Sequence, residues 1–309
     1  MPISTVRSIP AVDERALVIG GAGAAGNAWV IGVVAGLLDA GLDVTEADLI
    51  VGTSSGSTAA AQLTGGTSPA ELYAATQAAP PPGRPGPGGP HGGRGPLRPV
   101  AEILAQSDAI IAASADVADM RRRLGAAALE LEAASDGSRS AQWRAIVAAR
   151  LPGAQWPEQN LPVTAVDART GEPAVFDRRS GVDLVDAVAA STSGPGAPPY
   201  RIGDDRYIDG AYRANVNADL AAGYGRVLVL SPFGERTRVP LEWGTGLAAQ
   251  VDELRAHGSR VETIFPEGDA AEVFGPDGNQ TDLSTRAPVA RAGYEQGRAI
   301  AERLAELWR

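Results

Sequence analysis

Apolar residues along this chain alternate between short unbroken runs and helical spacings, a pattern that predicts strands joined by helices. Ala16-Leu17-Val18-Ile19 is continuous, apolar and short enough for a buried strand, and it stops at glycines that permit a tight turn. From Ala28 to Ala40 the residues Trp29, Val33, Leu37 and Ala40 recur at helical spacing, and Gly41 supplies the stop. A second strand, Leu49-Ile50-Val51, leads into a small-residue helix from Thr58 to Leu63. Helices are expected from about Val100 to Arg150, with amphipathic patterning around Ala118 to Ala133. Val163–Ala168 and Ala174–Asp177 read as strands of a hairpin turning at Arg169-Thr170-Gly171-Glu172, and Val227–Leu230 as a further strand. Pro288 to Trp308 reads as a long, solvated packing helix with alternating charges. The order implies an α/β fold: a three-layer α/β/α arrangement with a mostly parallel central sheet covered on both faces.

The 309 residues are expected to form a single domain, with a motif-bearing core over about 16–233 and a C-terminal helical region over 240–309. Between Pro80 and Pro99 the composition shifts to Pro, Gly and Arg, which cannot form a regular element, so a surface loop is expected there. A lid over an acyl pocket and a passive linker are the two readings of that loop. The net charge of −10 argues against a nucleic-acid partner and against attraction to anionic membrane surfaces. No apolar run reaches membrane-spanning length, and the N-terminus lacks the apolar core of a signal peptide. With zero cysteines the chain fits a reducing cytoplasm.

Two glycine motifs lie about one βα unit apart. The second, Gly52-Thr53-Ser54-Ser55-Gly56, follows the second strand and precedes a helix. In such an elbow, glycines two positions either side of Ser54 remove clashing side chains, and the helix amino end favours developing negative charge. In a chain with 38 glycines this could also be a plain Gly/Ser turn. The first motif, Gly20-Gly21-Ala22-Gly23-Ala24-Ala25-Gly26, has two readings as well. Gly21, Gly23 and Gly26 fit the dinucleotide-binding pattern G-x-G-x-x-G, but the second strand of that fold should end in an acidic residue. Here it ends at Gly52, and Asp39, Asp43 and Asp48 all precede it. The other reading is an oxyanion loop.

Composition limits the partner a serine nucleophile could have. The two histidines are His91, within Gly-Gly-Pro-His-Gly-Gly, and His257, just before Gly258 at the end of a helix, where an imidazole more often meets the helix terminus. A Ser-His-Asp triad and a zinc site are therefore not expected, and no cofactor is called for. The remaining base is a carboxylate, and Tyr207-Ile208-Asp209-Gly210-Ala211 puts one at a strand end on a tight turn. A plain hairpin turn is the ordinary meaning of Asp-Gly.

The ordered set G-x-G-x-x-G, G-x-S-x-G and Asp-Gly-Ala resembles the patatin-like phospholipase family, whose enzymes use a Ser-Asp dyad. The similarity extends to Gly26-Asn27-Ala28-Trp29-Val30-Ile31-Gly32-Val33, to Asp186–Ser191 leading to Pro198-Pro199, and to Asn215–Leu220 before the strand at Val227, covering roughly residues 16–233. The resemblance implies a patatin-like fold and a lipid acyl hydrolase of the phospholipase or esterase kind. Ser54 would be the nucleophile, Asp209 its base, and the N–H groups of Gly21, Ala22 and Gly23 the oxyanion hole, with Gly26, Gly52, Gly56 and Gly210 as motif glycines. Its partner would be a lipid or acyl-ester substrate, with transient membrane contact. An acyltransferase using the same acyl-enzyme is the neighbouring reading, and a dinucleotide-binding module or an inactive scaffold the more distant ones. The chain departs from the family at Ala25, where many members carry Lys or Arg, and at Ser55, where most have Ala and where a second hydroxyl now adjoins the nucleophile.

Overall fold

The computed structural model describes residues 11–78, 99–275 and 280–309. The chain runs through β1 (Ala11–Ile19), α1 (Gly23–Asp39), β2 (Leu49–Gly52), α2 (Ser55–Leu63), α3 (Pro69–Gln77), α4 (Val100–Ala112), α5 (Val117–Ala133) and α6 (Arg139–Ala148). It continues through β3 (Val163–Asp167), β4 (Pro173–Phe176), α7 (Leu184–Ser191), β5 (Tyr200–Ile202), β6 (Asp205–Asp209) and β7 (Tyr224–Leu230). The last elements are α8 (Leu247–Ala256), β8 (Arg260–Ile264), α9 (Asp269–Val273) and α10 (Arg286–Trp308). His91 and the Pro/Gly-rich stretch up to residue 98 lie outside the described residues.

The strands form one sheet in the order β5-β6-β3-β2-β1-β7-β8, with β4 paired to β3. Its β2-β1-β7-β8 portion is parallel, as βα crossovers require, and β3 joins β2 in the same sense. The β3-β4, β3-β6 and β5-β6 pairs are antiparallel, so the α/β architecture holds with a mixed sheet. In β3-β4 and β5-β6 the short hairpin connections leave no room for a helical crossover. The C-terminal stretch is not purely helical either, because Arg260–Ile264 adds the edge strand β8.

Alternation along β1 accounts for the layers. Leu17 and Ile19 join a core cluster with Trp29, Val33 and Leu37 of α1 and Leu304 and Trp308 of α10. Ala16 and Val18 point to the other face, against Leu247, Val251 and Leu254 of α8. A smaller cluster on Met120, Leu124 and Ile111 of α5 and α4 covers Val166 and Ile208. Each Val, Leu or Ile of the strand buried on either face contributes roughly 1.5–3 kcal/mol, and burial of both faces explains why the run reads as unbroken apolar sequence.

Helices α1 and α10 pack backbone to backbone. A Cβ added at Gly32 would lie 2.1 Å from the Ala290 carbonyl oxygen, at Gly36 2.1 Å from that of Tyr294, at Gly293 2.6 Å from that of Trp29, and at Gly297 2.3 Å from that of Val33. Glycines four apart on both helices therefore let the two backbones touch, and Trp29 Nε1 ties them by donating to Gln296 Oε1 at 3.1 Å. Such tight contact fixes the middle and carboxyl half of α1 against α10.

Candidate active site

Ser54 sits between the end of β2 and the start of α2, with φ 51° and ψ −128°, the one non-glycine residue at positive φ among those described. That conformation costs on the order of 1–3 kcal/mol and persists only where surrounding structure enforces it. Here the Ser54 N–H donates to Ser191 Oγ at 2.9 Å, while its carbonyl accepts from Ser57 N at 2.9 Å and Ser57 Oγ at 2.6 Å. The motif glycines make the sharp turn sterically allowed. A Cβ at Gly52 would lie 2.5 Å from Ser57 Cα, at Gly56 2.4 Å from the Ile19 carbonyl oxygen, and at Gly21 2.6 Å from Ser54 Cβ. Gly26 and Gly210 meet the same limit against Ala22 Cβ, at 2.6 Å, and the Thr164 carbonyl oxygen, at 2.2 Å.

Sheet register brings Asp209 to this serine. Val163 of β3 pairs with Gly52 and Ala165 pairs with Asp209, so two strand ends far apart in sequence meet along β3. Ser54 Oγ donates to Asp209 Oδ2 at 2.8 Å. Asp209-Gly210 is not a hairpin turn: it closes β6 and opens a 3-10 turn, Gly210–Tyr212, whose Ala211 N–H donates to Asp209 Oδ1 at 2.8 Å. Asp209 is buried, with 6% of the residue exposed. Burial pushes its pKa up to about 7, against the opposing pull of the Ala211 and Ser54 hydrogen bonds. A base titrating there is matched to taking a hydroxyl proton near neutral pH.

The three expected oxyanion donors have different partners. The Gly21 N–H faces the Asn215 carbonyl at 3.5 Å. The Ala22 N–H donates to Ser55 Oγ at 2.9 Å. The Gly23 N–H, at the first residue of α1, has no hydrogen bond among the described residues, although Ala25 N–H two residues on is capped by the Gln280 carbonyl at 3.1 Å.

Other contributors escaped the sequence reading. Ser191 and Ser193, at the end of α7, hold both partners, because the Ser193 carbonyl accepts from Asp209 N–H at 3.0 Å. Beneath the elbow, fully buried Asn217 donates to Thr53 Oγ1 at 2.9 Å, Thr164 Oγ1 at 3.3 Å and the Ala214 carbonyl at 3.0 Å. Arg213 donates to Asn217 Oδ1 and closes the network by a two-pronged bond to Asp219. Its sequence signal was the polar run around Asn215–Asp219, which carried a resemblance but no role. The Tyr212 phenol, desolvated and near Asp209, is held above its usual pKa. His257 caps α8, with Nδ1 2.7 Å from the Glu253 carbonyl oxygen. Among the described residues, no three His, Cys, Asp or Glu side chains come together to hold a metal ion, and no helix is long and apolar enough to cross a membrane.

Comparison with known proteins gives a match to the family model of patatin-like phospholipases over residues 98–222. The chain resembles that family. The patatin-like span contains Asp209 and Gly210, while Ser54 and the first glycine loop precede it. Among solved structures, VipD from Legionella pneumophila aligns at TM-score 0.46 and 13% identity, covering 95% of this chain and 68% of that one. ExoU in complex with SpcU, from the type III secretion system of Pseudomonas aeruginosa, aligns at TM-score 0.38 and 17% identity, covering 96% of this chain and 53% of that one. A second structure of the effector ExoU aligns at TM-score 0.31 and 13% identity, covering 94% and 54%. This chain thus spans about half the length of the ExoU chains. No curated protein matches the sequence.

Proposed function

We propose that this patatin-like chain is a serine acyl hydrolase that cleaves lipid or other acyl esters through Ser54 and Asp209. The observation that carries the reading is the 2.8 Å hydrogen bond from Ser54 Oγ to a buried carboxylate whose pKa is raised to about 7. Ser54 Oγ adds to the ester carbonyl carbon as its proton passes to Asp209, and the carbonyl oxygen becomes an oxyanion. Collapse of that intermediate expels the alcohol or lysolipid, which takes the proton from Asp209, and leaves an acyl-Ser54 ester. Water then adds with Asp209 again accepting the proton, and the acid departs as Ser54 regains its hydrogen. Much of the barrier lowering falls to N–H groups aimed at the oxyanion, since one such donor is worth about 3 kcal/mol. The family match supports a lipid ester as substrate, and the absence of cysteine fits action in a reducing compartment.

Labelling with a fluorophosphonate probe followed by peptide mapping tests this reading. The label is expected on Ser54, and Ser54→Ala is expected to abolish both labelling and ester hydrolysis in a folded protein. Label on Ser55, or hydrolysis surviving in Ser54→Ala, overturns the assignment.

A further inference from the structure

The hydroxyl beside the nucleophile has an unusual set of neighbours. Ser55 Oγ accepts the Ala22 N–H at 2.9 Å, which uses one of its lone pairs, and its own O–H finds no acceptor among the described residues. It is half-buried at the first residue of α2, directly after Ser54 and on the strand-end side of the sheet. Gly21 brings the first loop so close to Ser54 that a Cβ there would lie 2.6 Å from Ser54 Cβ, and the next residue of each segment, Ala22 and Ser55, is joined by the hydrogen bond just described. A hydroxyl that receives an N–H bond becomes a better donor through its own proton, because the two bonds polarise each other.

We propose that Ser55 is a catalytic residue whose O–H, backed by the Ala22 N–H, donates to the oxyanion formed by attack of Ser54 on an acyl ester. This rests on the hydrolase reading above and replaces a direct contact from the Ala22 amide with one relayed through the Ser55 hydroxyl. No proton is transferred in the step. The O–H bond of Ser55 stays intact, its hydrogen bond forms as the carbonyl oxygen gains charge, and it weakens again when the intermediate collapses. The remaining donor from the first loop is the Gly23 N–H, which has no competing acceptor among the described residues.

Steady-state kinetics on a soluble p-nitrophenyl ester, with the full chain, test the proposal. Ser55→Ala is expected to lower kcat by tenfold or more with KM nearly unchanged, since the donor acts on charge that exists only in the transition state. A matched pair removes ambiguity from folding: Ser55→Thr keeps the O–H and is expected to recover most of the loss, whereas isosteric Ser55→Val does not. Affinity for a trifluoromethyl ketone, which forms a hemiketal oxyanion on Ser54, should fall in proportion to kcat across the series. A raised or unchanged kcat in Ser55→Ala overturns the proposal, and a rise would mean that the hydroxyl plugs the Ala22 amide. Equal rates for the Thr and Val variants overturn it as well. If the wild-type protein takes no label on Ser54, the hydrolase reading itself falls; if Ser54 labels and the Ser55 variants stay at full rate, only the relay does.

Discussion

A carboxylate surrounded by water titrates near 3.9, and Asp209 departs from that value because its oxygens are out of water, with one Oδ bonded to Ala211 N–H and the other to Ser54 Oγ. The unfolded chain gives up this proton near 3.9 and the folded chain near 7, so ionisation opposes folding between those values. Stability from this group is full below the unfolded value, is lost as pH rises, and above about 7 is lower by on the order of 4 kcal/mol. Asp209→Asn cannot ionise. It is expected to be inactive, and more stable than the parent by a margin that opens from pH 4 to 7 and stays level above. Urea unfolding of both proteins at pH 4, 6 and 8 measures the margin, and a pH-independent difference would contradict the raised pKa.

Among the elements, α1 and α10 show how little a helix contact can tolerate when it is made of backbone. Adding a methyl group at Gly36 or Gly297 gains helix propensity of about 1 kcal/mol but drives Cβ to within 2.3 Å of a carbonyl oxygen, and the two helices must part. Gly36→Ala is expected to lose roughly 2 kcal/mol or more of stability, read from the urea midpoint, whereas equal midpoints would mean the helices separate freely. Strands β1 and β2 were legible in sequence because both faces are buried and both runs are therefore continuous. Helix α3 was not anticipated although Ser68 and Glu71 form a capping box, because only Pro69 and Thr76 of it are buried and no apolar stripe announces it. Strand β8 was masked by the charges of Arg260 and Glu262 on an edge strand. Ser54 and Asp209 stood out as motifs, yet their meeting depends on the register of β3 against β2 and β6, which no local pattern records. The Ser55–Ala22 bond was equally hidden, since it joins the residue before α1 to the first residue of α2, 33 positions away.

At the scale of the whole molecule, the two histidines of the sequence frame a test. A rate that rises through pH 7 would ordinarily be credited to an imidazole, whose reference pKa is about 6.5, but Asp209 titrates in the same range. Replacing His91 and His257 together by Gln is expected to leave kcat within a few-fold and the inflection near 7 in place. A folded, inactive double variant, or a lost inflection, would assign the proton to a histidine. The contact of α1 with α10 also sets an order of events in time. The bond between Trp29 and Gln296 spans 267 positions, so α1 stays without this partner until the intervening residues have been synthesised. Closing so long a loop carries an entropic cost that local contacts do not, which slows assembly. Helix α1, which directly follows the first glycine loop, therefore acquires this packing only after α10 has been made.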